Sequence, residues 1–374
     1  MPEPEFVVTP WEVRGEVDYD KLIRRFGTRK ITKKLHRKVE GYTGEIHMFL
    51  RRGIFFSHRD LDWILDMYDE GEKFFLYTGR GPSGHTHLGH LIPWIFTRYL
   101  QDVFDVELYF QITDDEKFLY HPEFSLSDTN SFAYENILDI IALGFNPEKT
   151  FIFNDTEYGK TIYRLALEVS KHITFSIVKA VFGFKHSSNI GLVFFPAIQA
   201  VPCFLPSYLK GKNIPCLIPA SIDQDPYWRG ISRYVAPKLG YYKPAQIHSK
   251  FLPGLGKGGK MSSSEPETCI FTTDLPKLVV KKIMNAYTGG RPTVDEQRKL
   301  GGEPNICPVY QYYFFLFEED DEKLEEIYKT CRSGERLCGF CKKILSGRVK
   351  EFIAEHQRKR EEARNSIERF MLRD

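Results

Sequence analysis

Between residues 74 and 249 the chain alternates short apolar runs with longer stretches whose apolar residues recur every three or four positions. The runs are FFLYT (74–78), VELYFQI (106–112), TFIFN (150–154), IPCLIPA (214–220) and AQIHS (245–249). Runs this short, apolar throughout and rich in branched and aromatic side chains, suit strands buried on both faces. Strands alternating with helical periodicity predict parallel βαβ units, and so an α/β fold with a doubly wound, Rossmann-like parallel sheet. The alternation ends near residue 270. The segment TTDLPKLVVKKIMNAYTGGRPTV then leads through a Gly-Gly turn into helices that continue to the end, the last over about 335–371. Ahead of the first run, residues 1–70 read as a short extended piece, a basic helix and a further helix from about Ser57. Three parts are expected: an N-terminal extension (1–70) packing on an α/β catalytic domain (71–272), followed by an all-helical domain (273–374).

The 374 residues suffice for domains of that size. The net charge is only +2 and does not by itself indicate a nucleic-acid partner. The charge is uneven, however. Residues 21–38 carry nine Lys and Arg and no acid, whereas 318–326, EEDDEKLEE, are mostly acidic. A basic run of this kind can hold phosphates, but taken alone it is more often the solvated face of a helix. The N-terminus MPEPEFVVTPWEV has neither a basic nor an apolar leader region. The longest charge-free stretch, 187–209, is broken by three prolines, so no membrane span is expected. A cytoplasmic location follows as the expectation. The seven cysteines are an odd, scattered set, as in a reducing compartment. Cys338 and Cys341 form a C-x-x-C with Cys331 upstream. No fourth ligand is evident, so this segment is read as the start of a long helix and no metal site is expected.

Candidate chemistry begins at YTGRGPSGHTHLGH (77–90), at the seam between the first strand and the following helix. Glycines there let a backbone approach a ligand closely, and the helix N-terminus offers free N–H groups and a positive dipole end. Imidazoles at the same place can donate to phosphate oxygens. A metal centre is the competing use of His85, His87 and His90, but no carboxylate or cysteine lies close by in sequence. The second element is GLGKGGKMSSSEPETCIF (254–271), a Gly/Lys loop presenting Lys260 and three serines. A mobile lysine can neutralise charge that develops on a leaving pyrophosphate.

Together the two elements are far more specific than either alone. His87-Leu88-Gly89-His90 matches the H-x-G-H signature, and Lys260-Met261-Ser262-Ser263-Ser264 the K-M-S-K-S loop with Ser263 in place of the second lysine. The sequence resembles the class I aminoacyl-tRNA synthetases, in particular their eukaryotic and archaeal tryptophanyl type. The likeness runs from about Phe6 to the C-terminal helix and rests on YTGRGPS, HLGHLIP, TDDEK, FPAIQA, IDQDPY and KMSSS. The resemblance implies activation of L-tryptophan by ATP with Mg²⁺, transfer to a tRNA, and a homodimer. It implies His87, His90 and Lys260 as catalytic groups. The ATP site would comprise Gly79, Arg80, His87, Gly89, His90, Lys260, Ser262 and Ser264. The tryptophan site would comprise Tyr77, Gly79, Gln111, Glu116, Gln199, Gln224 and Trp228. Trp228 and Ala220 depart from the family pattern, in which Phe and Cys are expected. The helical end would reach the anticodon, and the basic block the acceptor stem. Three rivals remain: a tyrosyl-tRNA synthetase, a small-molecule nucleotidyltransferase, and a non-catalytic tRNA-binding or signalling paralogue.

Overall fold

The computed structural model describes residues 6–9, 13–15 and 17–374. The reading of the first residues as free of a leader falls largely outside them. Strands β1 (Phe6–Val8) and β2 (Val13–Gly15) form an antiparallel pair. A seven-stranded sheet contains β3 (Arg29–Lys30), β4 (Phe55–Arg59), β5 (Phe75–Arg80), β6 (Leu108–Ile112), β7 (Thr150–Asn154), β8 (Cys216–Ser221) and β9 (Ala245–Ser249). Its order is β3-β4-β9-β8-β5-β6-β7. The five strands expected from the apolar runs, β5 to β9, pair in parallel. Alternation along each strand divides the core between the two faces. Leu76, Leu108, Phe110, Ile112 and Ile152 pack with the helices Leu88–Phe104 and Leu126–Ala142. Phe75, Tyr77, Tyr109 and Phe153 pack with Gly159–Ser170 and Ile190–Ala200 on the other side.

Where a helix was expected from about Ser57, the chain is strand through Arg59, antiparallel to β9. The helix begins only at Leu61, after Asp60 turns the backbone at φ 54°. Ser57 and His58 are buried and polar, which hid the strand from a hydrophobic pattern. The Ser57 hydroxyl lies 3.1 Å from His248 Nδ1, and the Leu61 N–H donates to His58 Nδ1. Residues ahead of 70 therefore share the central sheet. In the basic block, Arg29 holds Asp62, Lys30 holds Asp20, and Lys38 holds Asp66 and Asp69.

The last long helix spans Cys338–Ala363 and stops short of the expected 371. Its stripe of Leu345, Val349, Ile353, His356, Arg360 and Ala363 is buried, at helical spacing. It packs against Leu126–Ala142, where Asp139 is fully buried. Asp139 accepts from His356 at 2.9 Å and pairs with Arg360 at 2.5 Å; Arg360 also reaches Glu135. The tail then returns to the sheet. Ile152 donates to the Phe370 carbonyl and Leu372 donates to the Ile152 carbonyl, each at 2.7 Å. The Asp374 side chain caps Gly159–Ser170 by accepting from Lys160 and Thr161.

Burial works against ionisation of Asp139, but His356 and Arg360 outweigh it and hold the carboxyl below its usual range. A carboxyl with a depressed folded-state pKa adds stability at neutral pH. That contribution is lost as acid passes below the ordinary value of about 3.9. Asp139→Ala takes from buried Arg360 its buried carboxylate, leaving only Glu135, and takes from His356 its partner; it is expected to cost about 3 kcal/mol in urea unfolding at pH 7. The cost should shrink when wild type and variant are compared in acid. A change under about 1 kcal/mol at pH 7 would show the network to be dispensable.

Candidate active site

The strand order reverses between β5 and β8, the place where open α/β sheets bind ligands. The two strands pair only at Phe75–Cys216 and Leu76–Leu217. Beyond those pairs they separate, tied by the Thr78 hydroxyl donating to the Pro219 carbonyl at 3.2 Å. A cleft of about 310 Å³ opens there, over the carboxyl ends of β5, β6 and β8.

One end of the cleft is cationic. Arg80 ends β5, and its Nε donates to Asn136 Oδ1 at 2.6 Å. The glycine turn follows. A Cβ on Gly81 would lie 2.1 Å from Lys117 Cε, so any other residue there would make the end of Lys117 shift. A Cβ on Gly89 would crowd the His87 ring at 3.0 Å. The His87 and His90 rings stack at 3.5 Å. The His87 backbone N–H donates to His90 Nδ1, which leaves His90 Nε2 as the ring donor. Burial pushes both imidazoles well below their ordinary value, and Arg80 adds to the effect, so both are neutral at pH 7. Burial also lowers Arg80, to about 10, which still leaves it a cation.

The Lys260 loop closes over this end. Its strand passes beside the histidine turn, with Leu88 N–H donating to Ile270 O and Thr272 N–H to Thr86 O. Gly258 and Gly259 take φ 75° and 82°, which form the loop's tip. Lys260 Nζ lies 3.0 Å from Asp223 Oδ2. Ser262 and Ser263 face the cleft; the Ser264 hydroxyl instead lies 2.9 Å from that of Ser262. His85 is exposed and faces Phe132 and Phe271 rather than the cleft.

The other end has apolar walls, formed by Phe195, Ala220, Tyr227 and Trp228, with Gln199 and Gln224 among them. Trp228 opens a π-helical turn, Trp228–Ser232, an irregularity common at functional sites. Its ring meets that of Tyr77 edge-on at 6.0 Å. Tyr77 and Gln111 are fully buried and lie below the wall, not on it. Tyr77 donates to Gln111 Oε1 at 2.6 Å and accepts from Gln199 Nε2 at 2.7 Å. Gln111 Nε2 is 3.0 and 2.9 Å from the two oxygens of Asp155. Burial raises both Asp155 and Asp115, the latter to about 7; Asp115 and Asp114 raise Asp155 further, whereas the hydrogen bond from Asp155 offsets part of the rise at Asp115. Glu116 stands apart from this floor, beside Gly81, where it accepts from Thr113 and pairs with Lys117 at 2.9 Å.

The cleft thus gathers Gly79, Arg80, His87, Gly89, His90, Lys260, Ser262, Glu116, Gln199, Gln224 and Trp228. Sequence reasoning passed over Lys117, Asp223 and Asp155. The first two lie inside TDDEK and IDQDPY, segments already singled out; Asp155 directly follows the strand TFIFN, at the ligand-binding end of the sheet.

The family model described as tRNA synthetases class I (W and Y) matches residues 69–354. The chain is 54% identical over 372 residues to the tryptophan–tRNA ligase of Saccharolobus solfataricus, covering 99% of this chain and 96% of that one. Against the same-named protein of Thermococcus sibiricus it is 55% identical, with 98% and 94% covered. The crystal structure of Plasmodium falciparum tryptophanyl-tRNA synthetase superposes with a TM-score of 0.88 at 44% identity, covering 95% of this chain and 97% of that one. With its strand reversal, its histidine turn and its lysine loop, the chain belongs to the W and Y family of class I tRNA synthetases.

Proposed function

We propose that this chain activates L-tryptophan with ATP and transfers the tryptophanyl group to the 3′ end of its cognate tRNA. The carrying observation is a single cleft with two unlike ends, one cationic and one apolar over a buried hydrogen-bond acceptor. In this reading the amino acid's ring enters the apolar end, and Gln199 and Gln224 meet its ammonium and carboxylate. The ATP phosphates lie among Arg80, Lys117, His90 and Lys260, with the adenine against Gly89. A tryptophan carboxylate oxygen attacks the α-phosphorus, the bond to the bridging oxygen breaks, and pyrophosphate leaves with the extra charge. Preplaced donors lower that barrier, and a side-chain nucleophile is unnecessary. The terminal ribose hydroxyl of the tRNA then takes the acyl group and AMP departs.

The two carboxylates facing the cleft, Glu116 and Asp223, each already hold a lysine. They fit a dedicated Mg²⁺ site poorly, so we assign Mg²⁺ to the nucleotide's own phosphates and route no step through it. We further propose that 273–374 carries the anticodon contacts, that 1–70 supports the catalytic unit (71–272), and that the protein works in the cytoplasm as a homodimer. Among the described residues no helix is long and apolar enough to cross a membrane.

ATP–pyrophosphate exchange is the direct test. Exchange with tryptophan should exceed exchange with tyrosine by several orders of magnitude in kcat/KM; sites built around a specific polar group reach about 10⁴–10⁵. Exchange with tyrosine alone would overturn the pocket assignment, and no exchange with either would overturn the catalytic reading. The pH profile gives a second check. Because the folded-state values of His87 and His90 are depressed, both stay neutral through the ordinary histidine range. Exchange should therefore hold its neutral-pH rate through about pH 6.5 and fall only in stronger acid. An inflection near 6.5 that disappears in His90→Asn would contradict the assignment.

A further inference from the structure

The apolar end of the cleft owes three of its lining residues, Gln224, Tyr227 and Trp228, to one short segment. That segment is irregular: a 3₁₀ turn (Ile222–Gln224), one α turn (Asp225–Tyr227) and the π-helical turn Trp228–Ser232 follow one another. Single turns gain too few hydrogen bonds to hold themselves. Something outside the segment therefore fixes the direction in which Gln224 and Trp228 point. Asp225, which lies between them in the chain, is fully buried and makes that connection.

Its partner is Arg59, at the end of β4. Arg59 Nε donates to Asp225 Oδ1 at 2.6 Å and Nη2 to Oδ2 at 3.1 Å, so the planar guanidinium grips both carboxylate oxygens. The same guanidinium donates from Nη1 to the Gly27 carbonyl at 3.1 Å and from Nη2 to the Phe26 carbonyl, at the C-terminus of the helix Tyr19–Phe26. A helix C-terminus favours a cation. The other basic groups near Asp225 are weaker partners. Arg229 lies 3.4 Å away but is 40% exposed, and His248, at 3.7 Å, is neutral at pH 7 because burial lowers it to about 4. Among the described residues, none of 1–70 lines the cleft, so Arg59 reaches it only through Asp225.

We propose that Arg59 is a positioning residue for tryptophan: it holds Asp225 and thereby sets Gln224 and Trp228 at the apolar end. A buried ion pair is a poor means of stabilising a fold, because apolar groups of similar size do as well or better. What the pair supplies is direction. A two-pronged contact fixes rotation as well as distance, and a lysine cannot reproduce it. The cationic end has its own supports, Arg80 on Asn136 and the Leu88 N–H on the Ile270 carbonyl. Loss of Arg59 is therefore felt by the amino acid rather than by ATP. This role rests on the assignment of the apolar end to tryptophan.

ATP–pyrophosphate exchange by the full chain, with tryptophan and ATP varied separately, tests it. Wild-type exchange with tryptophan comes first; without it, the assignment of the apolar end and the role of Arg59 fall together. Arg59→Lys should raise KM for tryptophan about tenfold, the worth of one hydrogen bond to a charged group, and leave KM for ATP within about twofold. Asp225→Asn, which keeps the shape of the side chain, should show the same split. The double variant Arg59→Met with Asp225→Leu orphans no buried charge, and it should keep the raised KM for tryptophan although its urea midpoint recovers. Unchanged constants in a folded variant, an equal rise for both substrates, or a double variant that regains the wild-type KM for tryptophan would each overturn the proposal. So would two single variants that fail to fold, since the pair would then serve folding alone.

Discussion

The parting of β5 and β8 is the constraint on which the rest of the structure depends. Two residue pairs hold these strands together, against five between β5 and β6. The crossovers leave β5 in opposite directions, so nothing fills the space above its end. That space becomes the cleft, and most groups with a chemical role are brought to it by a strand end or by the segment that follows one, with Gln199 added from the helix Ile190–Ala200. Gly79 and Arg80 end β5, Thr113 and Glu116 follow β6, Ser221 ends β8 and Asp223 follows it. The lysine loop starts just beyond β9 and hydrogen-bonds to the histidine turn, which keeps Lys260 beside the imidazoles.

Beneath the cleft, burial sets the direction of a chain of hydrogen bonds. Gln111 is wholly enclosed, and each of its amide groups needs a partner, since an unpaired one costs about 1–3 kcal/mol. Its amide nitrogen donates to the two oxygens of Asp155, and its oxygen accepts from Tyr77. Tyr77 then spends its proton on Gln111 and offers lone-pair electrons upward, where Gln199 already donates. A floor of acceptors beneath aromatic walls suits a large ring that carries an N–H. The clustered carboxyls Asp115 and Asp155 stay buried because their environment disfavours charge, so the relay need not hold several bare anions.

The legibility of the sequence follows from the same physics. The five parallel strands could be read because both their faces are buried, which makes each run apolar throughout. β4 could not, because Ser57 and His58 are buried yet polar: Ser57 finds its partner across the sheet in His248, and His58 finds one in the Leu61 N–H at the start of the next helix. β3 is two exposed charged residues with no pattern to detect. In the site, His87, His90 and Lys260 were legible through spacing and neighbours. Lys117 and Asp223 lay in quoted segments, but their roles depend on Gly81 and Lys260, which only the fold brings near. Tyr77, Gln111 and Glu116 were the candidates for an acceptor at depth; the fold sets Tyr77 and Gln111 below the wall with Asp155 beside Gln111, and Glu116 apart from them beside Gly81.

A crystal structure of the protein with tryptophan tests the direction of that buried relay most directly. The indole ring should lie between the Phe195 and Trp228 walls. Its nitrogen should sit about 2.9 Å from Tyr77 Oη or Gln111 Oε1, the usual length of an N–H···O bond. Gln111 should still be held by Asp155. A ring bound with its nitrogen turned away from Tyr77 and Gln111, or seated at the cationic end, would contradict it.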